Sequence, residues 1–233
     1  MRKRYFVLAV ALLSLVIFVA PVSVLGDPPT LDKIVFIDYV APVHARLTAS
    51  AATDSCGDSS SYKTLGVKWT EFPVTYSVDV TDTAAKQAVV NAFNTWDAEQ
   101  HPNLQFFAGA ASGTTPKVTV YWASIDGPGG TLAVTTVWYY VVTKAIVKAT
   151  VKFDADDGWG VLSGTYCYGK GTGTLFDIQD VATHEIGHVV GLGHPASSSV
   201  NVPLTMFAYA TQGETYKTTL ASGDKKGIAA VYR

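Results

Sequence analysis

Past residue 26 the chain has no apolar run long enough for a membrane span, no basic cluster, no internal repeat and no low-complexity linker. The first absence leaves no place there for a transmembrane helix, which needs about 20 consecutive apolar residues. The second argues against nucleic acid and against an anionic membrane surface as partners. The other two leave nothing to divide the chain, which reads as one domain. Cysteine is scarce, with two residues, Cys56 and Cys167. In an oxidising compartment one bridge between them is the default, tying the front of the domain to a loop before residue 177; two free thiols are the other reading. Histidine is scarce as well: there are five, and three of them, His184, His188 and His194, fall within eleven residues.

The one long apolar stretch lies at the start. Arg2, Lys3 and Arg4 precede an apolar segment over 6–19, and small residues before Asp27 suit a cleavage site. This is the pattern of a signal peptide over residues 1–26, with an uncleaved anchor as the alternative. Its removal takes away three of the 17 basic residues and none of the 19 acidic ones, leaving 207 residues with a net charge of −5. That length suffices for one domain with a sizeable core. The expected product is exported and soluble, without stable membrane association once the leader is cut.

The chemistry concentrates in residues 183–194, Thr-His-Glu-Ile-Gly-His-Val-Val-Gly-Leu-Gly-His. On a helix, His184 and His188 present their rings on one face with Glu185 beside them. Two histidines at that spacing can also be ordinary core or surface residues. A third changes the reading, provided the helix stops after His188 and the chain turns back; Gly191 stands where a left-handed helix stop belongs, and Gly193 frees the next turn. Three neutral imidazoles leave one position on Zn²⁺ open to water, as in catalytic sites. Such a metal would acidify the water and polarise a carbonyl, with Glu185 as general base.

His184-Glu-x-x-His188-x-x-Gly191-x-x-His194 followed by Met206 resembles the metzincin metallopeptidases, and within them the matrixins, the matrix-metalloproteinase-like branch. The resemblance spans residues 66–232. It implies an α+β, zincin-like catalytic domain: a twisted, mostly parallel sheet with an early helix, an active-site helix and a C-terminal helix. It also implies zinc on His184, His188 and His194, Glu185 as base, and Met206 in a turn beneath the metal. The activity implied is that of a secreted zinc metalloendopeptidase acting on protein or peptide substrates. A zinc amidohydrolase acting on small substrates and a catalytically silent secreted binding protein are the alternatives.

Two further features take meaning from the resemblance. Matrixin prosegments carry a zinc-ligating cysteine followed by glycine, which Cys56-Gly57 resembles without the preceding Pro-Arg pair. The family's calcium site implies Asp126, Asp154 and Asp157 as ligands, with backbone oxygens from residues 127–130; on composition alone these are surface turns. The family's second zinc finds Thr119, Tyr121, Val134 and Lys152 at its ligand positions, so a single zinc is expected. Tyr209 is expected to border the substrate pocket, although Ala208 and Ala210 stand where the family has proline and tyrosine.

Along the chain, residues 27–65 form an N-terminal extension or short prosegment ahead of a catalytic domain at 66–233, with β-rich composition at 33–40. Alternation predicts strands at 74–80, 104–107 and 117–122, and one or two more within 136–153. Residues 126–133 are expected not to be a regular strand. Asp82 caps a helix whose stripe is Ala85, Ala88, Val89, Ala92, Phe93 and Trp96. Asp177 is the expected N-cap of the histidine helix, Asp180 suits its positive end, and residues 220–232 close the chain as a short helix.

Overall fold

The computed structural model describes residues 29–41, 56–100 and 105–232. The leader expected at 1–26 lies outside them, as does the middle of the N-terminal extension. Among the described residues no helix is long and apolar enough to cross a membrane.

In chain order the elements are β1 (Leu31–Val40), β2 (Lys63–Thr64), β3 (Val74–Asp79), α1 (Thr83–Gln100), β4 (Phe107–Gly109), β5 (Val118–Ala123), β6 (Thr131–Tyr140), β7 (Ile146–Asp154), β8 (Trp159–Gly160), β9 (Phe176–Asp177), α2 (Ile178–Val189), β10 (Leu192–Gly193), β11 (Tyr209–Ala210) and α3 (Ser222–Tyr232). Seven strands form the main sheet in the order β11-β1-β6-β7-β5-β3-β4. Four of its pairings are parallel, and only β6 with β7 and β1 with β6 are antiparallel. Among the described residues the fold is therefore α+β with a mostly parallel sheet and three helices, as the metzincin resemblance implies.

The core follows the apolar periodicities. Every residue of the α1 stripe is buried, and Asp82 Oδ1 accepts the amide of Ala85 at 2.9 Å to cap the helix. That stripe packs α1 against α2. Two indoles fix α2 in place: Trp96 Nε1 donates to the Thr183 carbonyl at 2.7 Å and Trp69 Nε1 to that of Val189 at 2.9 Å. The second bond satisfies one of the carbonyls that a helix leaves without an internal partner at its C-terminal end.

Two boundaries differ from the sequence reading. β6 begins at Thr131, so residues 131–133 are strand after all; they are buried, and Ala133 pairs with both Asp38 and Phe153. Pairing on two sides outweighs the loop-like glycines just before them. β4 starts at Phe107, where Phe106 and Phe107 amides are both held by Asp97 Oδ1. The β-rich stretch at 33–40 is strand, as part of β1. It joins the main sheet along its whole length, antiparallel to β6.

Cys56 and Cys167 form a disulfide across a sequence separation of 111. Cys56 is therefore engaged as a bridge, and its thiol is not free to act as a zinc switch. Cross-links closing loops of this length typically contribute about 2–4 kcal/mol. The double substitution Cys56→Ser/Cys167→Ser is expected to lower unfolding free energy by about that amount, measured by denaturant titration of the oxidised and substituted proteins.

Candidate metal centre

α2 is built to hold its histidines still. Asp177 caps it, with Oδ1 accepting the Asp180 amide at 2.8 Å and Oδ2 accepting that of Leu162 at 2.7 Å. All of the helix except Gln179 is buried. Val190 donates back to the Ile186 carbonyl, and Gly191, at φ +98°, ends the helix. A side chain there would be strained by that φ and would also meet the Val67 carbonyl at 2.5 Å. The reversed chain then pairs β10 with β2, which delivers His194 back toward the helix.

The three rings meet at their Nε2 atoms. His194 Nε2 stands 3.0 Å from both His184 Nε2 and His188 Nε2. These contacts cannot all be hydrogen bonds. His184 Nδ1 lies 2.7 Å from the Thr205 carbonyl and His188 Nδ1 lies 2.8 Å from that of Leu192. A carbonyl only accepts, so both Nδ1 atoms carry the proton and both Nε2 atoms present lone pairs. Burial holds all three histidines neutral: it pushes His184 and His188 well below the usual imidazole range, and His194 down to about 4 with help from the Lys217 charge. Two such lone pairs aimed at one point, with His194 Nε2 beside them, offer a cation its ligands. Two nitrogens sharing a zinc at about 2.0–2.1 Å in tetrahedral geometry stand roughly 3.3 Å apart, close to the spacing here. The donor set thus fits zinc, with the Nδ1 partners supplying the outer hydrogen bonds that orient such ligands.

Glu185 lies on the same helix, fully buried. Its Oε2 accepts a short hydrogen bond from the Thr135 hydroxyl on β6, while Oε1 is buried without a partner. Burial, and then the Asp38 carboxyl, push Glu185 well above the carboxylate range; a divalent cation beside it would act the other way.

Below the rings, the Met206 turn is packed and tied. Met206 is buried against Gly187, where an added Cβ would meet its sulfur at 2.1 Å and Trp96 at 2.8 Å. Asp224 of α3 accepts the Thr205 amide at 2.8 Å and the Met206 amide at 3.2 Å, which aims the Thr205 carbonyl at His184.

The Matrixin family model matches residues 68–233, more than half of the sequence. The chain belongs to the matrixin family. Metalloendoproteinase 1 of Glycine max is 32% identical over 160 residues, covering 65% of this chain and 46% of that protein. Stromelysin-3 of Xenopus laevis is 27% identical over 177 residues, covering 72% and 33%. Metalloendoproteinase 2-MMP of Arabidopsis thaliana is 39% identical over 109 residues, covering 46% and 25%. The chain thus spans less than half the length of these relatives.

Of the matrixin features expected from the sequence, the histidine trio comes together as a metal-competent group among the described residues; the aspartates Asp126, Asp154 and Asp157 do not form one. They cluster around one loop but spend most of their oxygens on its backbone. Asp126 accepts from Thr131, Asp154 from the amides of Ile125, Asp126 and Asp156, and Asp157 Oδ1 from Gly129. Asp157 Oδ2 remains buried without a partner. Tyr209 lies in β11 opposite Tyr39, with its carbonyl accepting from Lys217 Nζ at 2.9 Å.

Sequence reasoning missed Thr135, Lys217, Asp224 and Asp38. Asp38 had a readable signal: it falls on the inward face of β1 with Ile34, Phe36 and Val40, a carboxylate in an otherwise apolar alternation. Lys217 had none, because its burial depends on contacts made by distant segments.

The contact beneath the helix yields a direct expectation. Gly187→Ala forces Met206 away from the space it fills, and overpacking of this kind costs about 1–3 kcal/mol. The variant should unfold at lower denaturant and retain zinc more weakly than the parent, read by denaturation and by chelator competition.

Proposed function

We propose that the protein is a secreted zinc-dependent endopeptidase that hydrolyses internal peptide bonds. The observation that carries this reading is the convergence of three Nε2 atoms beside Glu185, whose Oε1 has no other partner. His184, His188 and His194 would hold the metal. When bound, zinc supplies a Lewis acid that acidifies a water and polarises the scissile carbonyl. Glu185 takes the water's proton at Oε1 and can pass it to the leaving amine, while Thr135 keeps the carboxylate aimed by donating to Oε2.

Peptide rather than small-amide substrates are favoured by β6. The side of β6 away from β7 carries extended backbone: β1 pairs with it antiparallel from Leu31 to Tyr39. A small-amide hydrolase would have no use for an edge of that length. A silent binding protein would have no use for a partnerless Glu185 oxygen. Secretion is supported by the disulfide, which suits an oxidising compartment, and by the leader pattern in the sequence.

Calcium on the Asp126, Asp154 and Asp157 loop is a further part of this reading. Its support is the crowding of like charges there: burial, and then Asp154, Asp126 and Asp156, raise Asp157 despite the Gly129 amide it accepts. A hard dication would relieve that crowding.

Glu185→Ala should abolish most turnover of a mixed peptide library while leaving zinc content unchanged; turnover at the parental rate would remove Glu185 from its role. Selective calcium removal should lower the melting temperature while zinc stays bound, and an unchanged melt would count against calcium.

A further inference from the structure

The hairpin of β6 and β7 ends in apolar side chains that face water. Val142, at its tip, is 90% exposed, more than any other large apolar side chain among the described residues, and Val141 beside it and Leu31 on β1 are exposed too. Backbone bonds hold the tip in this shape. The Tyr140 amide donates to the Ala145 carbonyl, the Lys144 amide to the Tyr140 carbonyl and the Val141 amide to the Thr30 carbonyl, each at 2.9 Å. The tip also stands clear of the sheet on its β7 side, where the pairing with β5 stops at Ala149 and only an isolated bridge joins Lys68 to Ala145. Valines fixed outward on a rigid tip contribute nothing to the core, and exposed apolar groups brought together in this way mark an interaction site.

Behind the tip the residue types change in order. Tyr140 lies opposite Leu31, and Trp138 lies opposite Lys33 on one side and Lys148 on the other, so these side chains share the outward face. Lys148 Nζ stands 5.4 Å from the Trp138 ring, and Lys144, which starts near the tip, has its ammonium back over the Tyr139 ring at 5.3 Å. Lys33, Lys68, Lys144 and Lys148 are all exposed, and none has a carboxylate ion-pair partner among the described residues. Across residues 30–33, 66–68 and 138–148 the single acid is Asp32, whose oxygens accept from the Lys33 amide and the Tyr139 hydroxyl. Because the four lysines come from three separate segments, no run of the sequence shows them as a basic cluster. The fold assembles them.

We propose that the end of this hairpin docks on a lipid bilayer surface bearing anionic headgroups. Val141 and Val142 enter the acyl boundary, Tyr140 and Trp138 sit at the interface, and the four ammonium groups meet the phosphates, which is the order in which a bilayer presents those layers. A partner protein of opposite charge would satisfy the lysines, but it would not require this grading from apolar to aromatic to basic along one axis. Attachment is peripheral and reversible, since few side chains enter the lipid and the chain as a whole carries a net charge of −2. Thr135, which donates to Glu185, lies five residues down β6 from Tyr140, roughly 17 Å at about 3.3 Å per residue, so docking leaves the metal centre clear of lipid.

The test is sedimentation of the full, zinc-loaded chain with vesicles of phosphatidylcholine alone and of phosphatidylcholine mixed with phosphatidylserine. The parent should sediment with the mixed vesicles and be released by added salt, because exposed charges are screened. Val141→Ser/Val142→Ser should weaken that binding at least about tenfold, and Lys144→Asn/Lys148→Gln by roughly twentyfold. Asparagine is chosen at Lys144 because its φ of 59° is left-handed, which asparagine tolerates. Turnover of a soluble peptide should be the same in the parent and both variants, which separates a lost docking site from a lost fold; failure of the parent to cleave any peptide would count against the peptidase reading and leave the vesicle result standing. No sedimentation with mixed vesicles, equal binding to phosphatidylcholine alone, or binding unchanged in both variants would overturn the proposal. So would a parent dimer that the valine substitutions dissolve without any vesicle binding, which would give the tip to a second copy of the chain.

Discussion

Two backbone carbonyls decide the character of this protein. Thr205 and Leu192 each accept a hydrogen bond from the Nδ1–H of a histidine on α2, leaving the opposite nitrogens to face His194 Nε2 as bare lone pairs. That arrangement aims two unprotonated nitrogens at one point beside His194, where a cation can take all three rings as ligands. Much of the surrounding structure fixes those carbonyls. Asp224 ties the turn that carries Thr205, Gly191 permits the reversal that brings Leu192 into place, and β10 against β2 holds that reversal down. Met206 and Trp96 fill the floor under Gly187, so the helix cannot sink away from the metal position.

The charges around the site share the same dependence. Asp38, Asp180, Glu185 and Glu214 are all buried near one buried ammonium, Lys217. Burial would discharge Lys217, but Glu214, Asp38 and Asp180 outweigh it and keep the ammonium charged. Asp38 is pushed up to about 7 by burial, an effect that Lys217 offsets in part and Glu214 reinforces. Acids in excess over bases in a dry interior are unfavourable unless protons or a cation balance them. A dication on the three imidazoles would supply that balance where Asp38 and Glu185 need it.

Much of this was legible in the residues themselves, because the signals were local. A histidine pair four apart, a glycine three after the second, and a third histidine three later specify a helix, its stop and a return within one short stretch. The Asp177 cap and the α1 stripe were likewise readable from nearest neighbours. What stayed hidden was made by distant pairings. Thr131 and Ala133 look like loop until β1 and β7 close on them, and β1 reads as any β-rich lead until β6 and β11 are seen on either side of it. Asp180, which suited a helix N-terminus, instead accepts the Lys217 amide at 2.7 Å, a contact 37 residues away in sequence.

The most direct test of the central claim is a crystal structure of the zinc-loaded protein with anomalous data at the zinc edge. The account predicts one strong peak bonded to Nε2 of His184, His188 and His194, with both Nδ1 hydrogen bonds to Thr205 and Leu192 intact. A zinc ion bound elsewhere, or coordinated by the α2 histidines while His194 points away, would contradict it.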